Sequence, residues 1–447
     1  MKKIISFILV IFFCSQSFAF GKTSERVRVI ARPDNPLVLP GQKSYVVIKV
    51  GLFPDDKGID FKRLPMNIAI VLDKSGSMGS QSKMENAKRG AIEIINRLSS
   101  KDILSVIVYD NAPYTLISAQ HVINKEAIIS QIRSISSGGS TALYGGVSFG
   151  ASEIYKNLTD NYINRIILLS DGLANVGPQS TEDLACLGEN LESQGISVTT
   201  IGVGLDYNED LMTVLADRSS GNSYFARNSD ELPQIFAEEI GEAMTLMACN
   251  VRVLLECPDN IRPVSIIGRK GVVNDRDMEV IIGNLYGSSE KYTLFEVEIP
   301  EGKDGRNLKA ARIRIEYDDP FTQKKVFKKM DVSIQYEKNK KTVEAKKDKE
   351  VLKDTAINRT AEVKARAIAL ADKGQYKEAA HLIEQNSEEL EKVARQCDND
   401  KDLINKAKEC QEVSGQLNFN KSLSREQRKR LKNDHYTTIN QQGYIAK

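Results

Sequence analysis

The 447-residue chain is 41% apolar and 27% charged, values of a globular protein, and it exceeds the length of one typical core, so two or three domains are expected. Its 62 basic and 60 acidic residues give a formal charge of +2, and loss of residues 1–19, which hold Lys2 and Lys3 but no acid, would leave 60 of each. That balance argues against nucleic acid as the main partner, because phosphate binding calls for a basic surface.

Residues 1–19 read as a secretory signal: Lys2 and Lys3, a mostly apolar run over 4–13, then Ser17-Phe18-Ala19 with the small-x-small pattern of a cleavage site. The run is shorter than the roughly 20 residues that a permanent span requires. Cys14 follows two phenylalanines instead of small residues, which speaks against a lipid anchor. No later apolar stretch reaches membrane length, so the mature chain is expected to be exported without a transmembrane segment, to the periplasm, the cell surface or the medium.

Residues 20–64 hold two strand-like runs, 26–30 and 44–50, separated by Pro33-Asp34-Asn35-Pro36 and Pro40-Gly41. Two strands are not stable alone and need partners elsewhere in the chain. From Pro65 the pattern changes. Apolar runs at 68–72, 103–109, 166–169 and 198–203 alternate with helical patterns at 84–98, 126–135, 142–158, 181–192, 208–215 and 231–247. In the first helix Lys83, Glu85, Lys88, Arg89 and Glu93 fall on the polar face. Alternation of this kind predicts a doubly wound, mostly parallel sheet covered on both sides by helices, with ligands bound beyond the carboxyl ends of its strands.

Residues 249–336 return to strands, at 251–255, 278–282, 292–299, 311–317 and 325–334, which read as an antiparallel β-sandwich. The two early strands are expected to complete it, making the α/β unit of residues 65–248 an insertion. Residues 337–447 then read as a lysine-rich solvated linker or exposed helix at 337–354 and a helical hairpin over 358–395. A basic helical stretch at 424–432 and a frayed end at 440–447 follow. The five cysteines beyond the signal, Cys186, Cys249, Cys257, Cys397 and Cys410, leave at least one unpaired within the chain. A Cys249–Cys257 bridge conflicts with a strand over 250–256, which would hold the two about 26 Å apart against a limit of roughly 7 Å. Cys397 and Cys410 meet only if their helices fold back in register, and buried or free thiols are the equal alternative.

Three short stretches carry chemistry. Asp73-Lys74-Ser75-Gly76-Ser77 follows the run 68–72, so one carboxylate and two hydroxyls share a turn at a strand end. These are hard oxygen donors suited to Mg²⁺ or Mn²⁺. Alone the pattern is weak, since Asp, Ser and Gly are ordinary turn residues. The loop 136–143 adds the Thr141 hydroxyl at the start of a helix, and Ser170-Asp171-Gly172 ends the strand 166–169. If those strands are neighbours, five oxygen side chains converge.

With D-x-S-x-S at Asp73, Ser75 and Ser77, G-G-S-T over 138–141 and S-D-G at Asp171, residues 65–248 resemble the von Willebrand factor type A domain with its metal-ion-dependent adhesion site. The resemblance implies that Ser75 and Ser77 bind Mg²⁺, or Mn²⁺ or Ca²⁺ in its place, directly. It implies that Thr141 binds directly or through water, and that Asp73 and Asp171 act largely through water. An Asp or Glu carboxylate of a protein partner would complete the ion's shell. The flanking strands and helical tail more loosely resemble secreted bacterial proteins of this type, so the implied function is exported, metal-dependent protein binding in adhesion or complex assembly.

Other readings fare worse. A phosphatase of the haloacid-dehalogenase kind needs a second carboxylate where this chain has Ser75, and no G-x-x-x-x-G-K phosphate loop is present. Gly202-Val203-Gly204 lacks the third glycine of a dinucleotide site. His121, His381 and His435 are too scattered for an H-E-x-x-H protease. An enzyme is therefore not expected. The main alternative is an envelope assembly or chaperone-like subunit that docks through its helical tail.

Overall fold

The computed structural model describes residues 26–54, 63–287 and 289–442, so the expected signal peptide and Cys14 lie outside the described residues. Six strands form the sheet of the α/β unit, in the spatial order Pro113–His121, Ile103–Tyr109, Met66–Asp73, Ile163–Ser170, Ile196–Val203 and Ser223–Ala226. Every neighbouring pair is parallel except Pro113–His121 with Ile103–Tyr109. Met66–Asp73 is buried along its whole length. Its alternate residues face opposite helical layers: Ile68, Ile70 and Leu72 pack with Met84, Ile94 and Phe236, and Ala69 and Val71 with Val147 and Ala151. Burying each large aliphatic side chain contributes about 2 kcal/mol, which explains an apolar run with no polar alternation. The chain leaves Met66–Asp73 to one side for Ile103–Tyr109 and returns on the other as Ile163–Ser170. The strand order therefore reverses between Met66–Asp73 and Ile163–Ser170, and such a reversal opens a crevice at their carboxyl ends.

Two strands of this sheet were not anticipated. Pro113–His121 is a half-exposed edge with few buried side chains, and Ser223–Ala226 has only four residues. Both lack the long apolar run that signals a covered strand.

The segments on either side of this unit share one sheet. Ser44–Pro54 pairs antiparallel with Lys291–Ile299, from Ser44 opposite Ile299 to Leu52 opposite Lys291, and Val27–Pro33 and Arg262–Ile267 flank that pair. A second sheet, Val272–Val273, Asp277–Tyr286, Leu246–Glu256, Asn307–Asp319, Lys324–Tyr336 and Leu37–Val38, closes the sandwich over a common core that includes Ile48, Leu52, Val253, Phe295 and Ile313. The α/β unit is thus inserted in the sandwich. The helix expected to reach residue 247 ends at Ala243, because Leu246–Glu256 is already a strand of the second sheet.

The stretch expected as a solvated linker is packed instead. Lys349–Asp372 lays Val351 against Val47, Ile267 and Leu294, while buried Lys49 of Ser44–Pro54 pairs with Glu290 (2.9 Å), Glu350 (2.9 Å) and Asp354 (2.6 Å). Tyr376–Gln396 and Lys401–Asn420 fold back on it around Ile383, Leu390, Leu403 and Leu417. Cys397 and Cys410 are free thiols, as are Cys186, Cys249 and Cys257. The terminal helix Arg425–Asn440 does not end in fraying: Lys291 Nζ donates to the Asn440 carbonyl at 2.6 Å, and Gln442 exchanges two 3.2 Å hydrogen bonds with the Ser223 backbone. Residues 443–447 lie outside the described residues.

Candidate metal site

Asp73 is the last residue of its strand and is fully buried. Its Oδ1 accepts from the Ser75 N–H at 2.8 Å, closing an Asx turn, and its Oδ2 accepts from the Ser170 hydroxyl at 2.9 Å. The chain then makes a single 3-10 turn, Gly76–Gly79, whose Met78 is buried in the core beneath and fixes Ser75 and Ser77 above. The 136–143 loop is stitched to this turn: Gly76 N–H donates to the Gly139 carbonyl at 3.0 Å and Gly138 N–H to the Lys74 carbonyl at 2.6 Å. Gly139 has φ +87°, and a Cβ there would come within 2.9 Å of Asp110, so only glycine lets the two loops close.

Asp73, Ser75, Ser77, Thr141 and Asp171, from three separate loops, meet at this crevice. Ser75 Oγ lies 3.1 Å from Ser77 Oγ, and Ser77 Oγ donates to Asp171 Oδ1 at 2.7 Å. A Cβ on Gly172 would sit 3.2 Å from Thr141 Oγ1 and 3.6 Å from Ser77 Oγ, so both hydroxyls converge over that glycine. Thr141 is held by its backbone, its N–H donating to Asn175 Oδ1 at 2.8 Å and its carbonyl accepting from Asn175 N–H at 3.1 Å. Thr141 is buried as a residue, but its hydroxyl is open to the cleft and makes no hydrogen bond among the described residues.

These donors suit a small hard cation. Two ligands at right angles on an ion with bonds of about 2.1 Å stand about 3.0 Å apart, close to the Ser75–Ser77 separation. The electrostatics agree. Burial pushes the Asp73 carboxyl up to about 6, against the Ser75 and Ser170 hydrogen bonds that favour its charged form, and the Asp171 charge adds to the rise. Lys83, placed on the solvent face by helical periodicity, is instead buried, with Nζ 2.8 Å from Asp171 Oδ2. Lys88 is buried as well, bonded to Glu85 and to the Arg133 carbonyl. Lys83 begins the helix Lys83–Arg97, where the dipole disfavours a cation, and that unfavourable placement was the available sign of a specific carboxylate partner. Asn175 carried no such sign. His121 ends the exposed edge strand and takes no part in the site.

The crevice opens into a cleft of about 580 Å³ whose far wall is not from the α/β sheet: Arg425, Arg428 and Lys429 of the terminal helix line it opposite Ser75 and Thr141.

With this geometry in hand, comparison with known proteins gives a consistent picture. Residues 67–238 match the von Willebrand factor type A domain, so that part of the chain is a domain of this family. An uncharacterised protein of Synechocystis sp. is 28% identical over 291 residues, 63% of this chain and 67% of its own length. A von Willebrand factor type A protein from Catenulispora acidiphila superposes with a TM-score of 0.63 at 16% identity, over 88% of this chain and 98% of that one. The ArnB paralog VWA2 of Sulfolobus acidocaldarius does so with a TM-score of 0.58 at 19% identity, over 93% and 98%. At these identities the two structures speak to the fold, and they share it over the sandwich and the tail as well as the inserted domain.

Proposed function

We propose that the von Willebrand A domain at residues 67–238 holds one Mg²⁺ and through it captures a carboxylate of a protein partner. Ser75, Ser77 and Thr141 would hold the ion, with Asp73 and Asp171 behind them. The observation that carries this reading is the gathering of five oxygen side chains at the strand-order reversal, with the Thr141 hydroxyl uncommitted. Charge counting gives the mechanism. Two buried carboxylates, less the Lys83 ammonium, leave one negative charge, so a divalent ion would leave the crevice positive and attractive to a partner Asp or Glu.

No helix among the described residues is long and apolar enough to cross a membrane. Together with residues 1–19 this supports an exported protein acting in the envelope or outside the cell. The tail, read from sequence as a separate docking piece, forms one wall of the same cleft, so the assembly reading and the metal reading share a surface.

Affinity capture from envelope extracts tests the proposal, with wild type and Asp73→Ala each in Mg²⁺ and in EDTA. Partners held by wild type in Mg²⁺ should be lost in the other three arms. Equal capture by wild type in EDTA would sink it.

A further inference from the structure

The helix Arg425–Asn440 begins beside the metal cleft, and its start carries more cations than its dipole favours, with Glu426 the one acid of its first turn. Ser424 opens it with a reciprocal cap, its hydroxyl accepting from Gln427 N–H at 3.2 Å while Gln427 Oε1 accepts from Ser424 N–H at 3.0 Å. Arg425, Arg428 and Lys429 therefore stand at the positive end, where cations are disfavoured unless anions answer them. Two of the three are fully answered. Arg428 pairs with Glu209, with Asp210 at 2.9 Å and with Asp372 at 2.9 Å, and Lys429 pairs with Glu209 at 2.5 Å and donates to the Tyr207 carbonyl.

Arg425 is different. Among the described residues its one carboxylate is Asp206 at 3.3 Å, with the two side chains 79% and 68% exposed. An exposed pair of this kind contributes about 0–1 kcal/mol, so the guanidinium can exchange Asp206 for a better-placed carboxylate at little cost. The same cleft presents two apolar side chains to solvent, Leu173 at 60% and Leu205 at 38% exposed. One cleft thus offers a place for a divalent ion, an apolar patch and an exchangeable cation.

We infer that the captured segment is an acidic peptide carrying two carboxylates around an apolar side chain. One carboxylate goes to the metal and the other to Arg425, with the apolar side chain against Leu173 and Leu205. This rests on the metal-dependent binding proposed above and deepens it by naming the ligand's chemistry. Charge complementarity selects the occupant: a bound ion and the Arg425 guanidinium both call for a carboxylate, and Asp206, 68% exposed, stays solvated when Arg425 changes partner. A planar guanidinium also takes a carboxylate with two parallel hydrogen bonds, so the second acid should tighten binding by up to about fivefold.

The test is a random peptide display library panned on the immobilised full chain in Mg²⁺ and eluted with EDTA, run in parallel on Arg425→Ala and Asp73→Ala. Peptides released from wild type should carry paired Asp or Glu residues around an apolar one. A synthetic copy with the second acid changed to its amide should bind more weakly, by up to about fivefold, in fluorescence anisotropy. Peptides from Arg425→Ala should carry a single acid, and Asp73→Ala should release none above background. Because Arg425 is exposed, its variant keeps the fold. Single acids dominating the wild-type pool, or the same pairs recovered from Arg425→Ala, would overturn the inference and leave metal-dependent binding standing. No EDTA-released peptide from wild type would instead strike the metal reading beneath it. Mg²⁺-dependent dimerisation without peptide enrichment would assign the cleft to a second copy of the chain and overturn the inference too.

Discussion

The strand Ile163–Ser170 carries a buried charge cluster at each end, and the two are built on different terms. Near its start, wholly buried Arg165 pairs with Glu239, donates to the Tyr286 hydroxyl and reaches Ser197 Oγ at 3.1 Å. Glu239 also accepts from Thr199 at 2.7 Å, from Tyr224 at 2.9 Å and from Asn222 at 2.9 Å. At the other end Asp73 and Asp171 are buried just as deeply, yet among the described residues the one cation paired with either is Lys83, on Asp171, and their other partners are hydroxyls and a backbone N–H. A cluster whose charges are paired within the chain is structural. One with surplus negative charge and an uncommitted hydroxyl at a sheet's carboxyl edge keeps capacity for an ion.

The largest expected effect falls on the closed end. Glu239→Ala strands the Arg165 charge and should cost about 3–5 kcal/mol in urea unfolding, by the same amount with Mg²⁺ or EDTA. A loss below about 1 kcal/mol would contradict a structural role. At the open end, Mg²⁺ at a hundred times its dissociation constant should stabilise wild type by about 2.7 kcal/mol through mass action, and Asp73→Ala by nothing, seen as a thermal shift present in one protein and absent in the other.

The closed end has one weak neighbour. Lys291 is buried at the junction of sandwich, α/β unit and terminal helix, and burial lowers its ammonium to about 8. Its folded value lies below the unfolded value of about 10.4, so its desolvation cost is in full force below pH 8 and fades as pH rises from about 8 to about 10.4, where the unfolded chain binds more protons. Lys291→Met should therefore gain about 1–2 kcal/mol at pH 7, after the loss of its bond to Asn440, and the gap to wild type should close by pH 10. A gap constant with pH would mean that the lysine's charge is not what destabilises. The smallest effect belongs to an exposed pair of the same domain. Arg97→Ala, removing the 2.8 Å contact to Glu93, should change stability by less than about 0.5 kcal/mol and vanish in salt.

What the sequence disclosed follows the same division. Asp73, Ser75, Ser77, Thr141 and Asp171 were legible because each lies within a few residues of a strand or helix end that apolar periodicity marks. Lys83 was not, because periodicity assigns it a face but cannot tell that the first turn of its helix abuts a carboxylate 88 residues away. The tail's place on the cleft was hidden for a stronger reason. Its ion pairs join residues about 220 positions apart, such as Arg428 with Glu209, and no local pattern encodes them. The packed helix at Lys349 was misread for the same cause: interleaved lysines and acids look solvated until Lys49, about 300 positions upstream, is seen to take Glu350 and Asp354.

The most direct measurement is calorimetric titration of Mg²⁺ into the full chain and into the double variant Ser75→Ala, Ser77→Ala. One ion per chain in wild type and none in the variant, with equal melting temperatures in EDTA, is the predicted result. Equal stoichiometry in both proteins, or no binding to wild type, would contradict it.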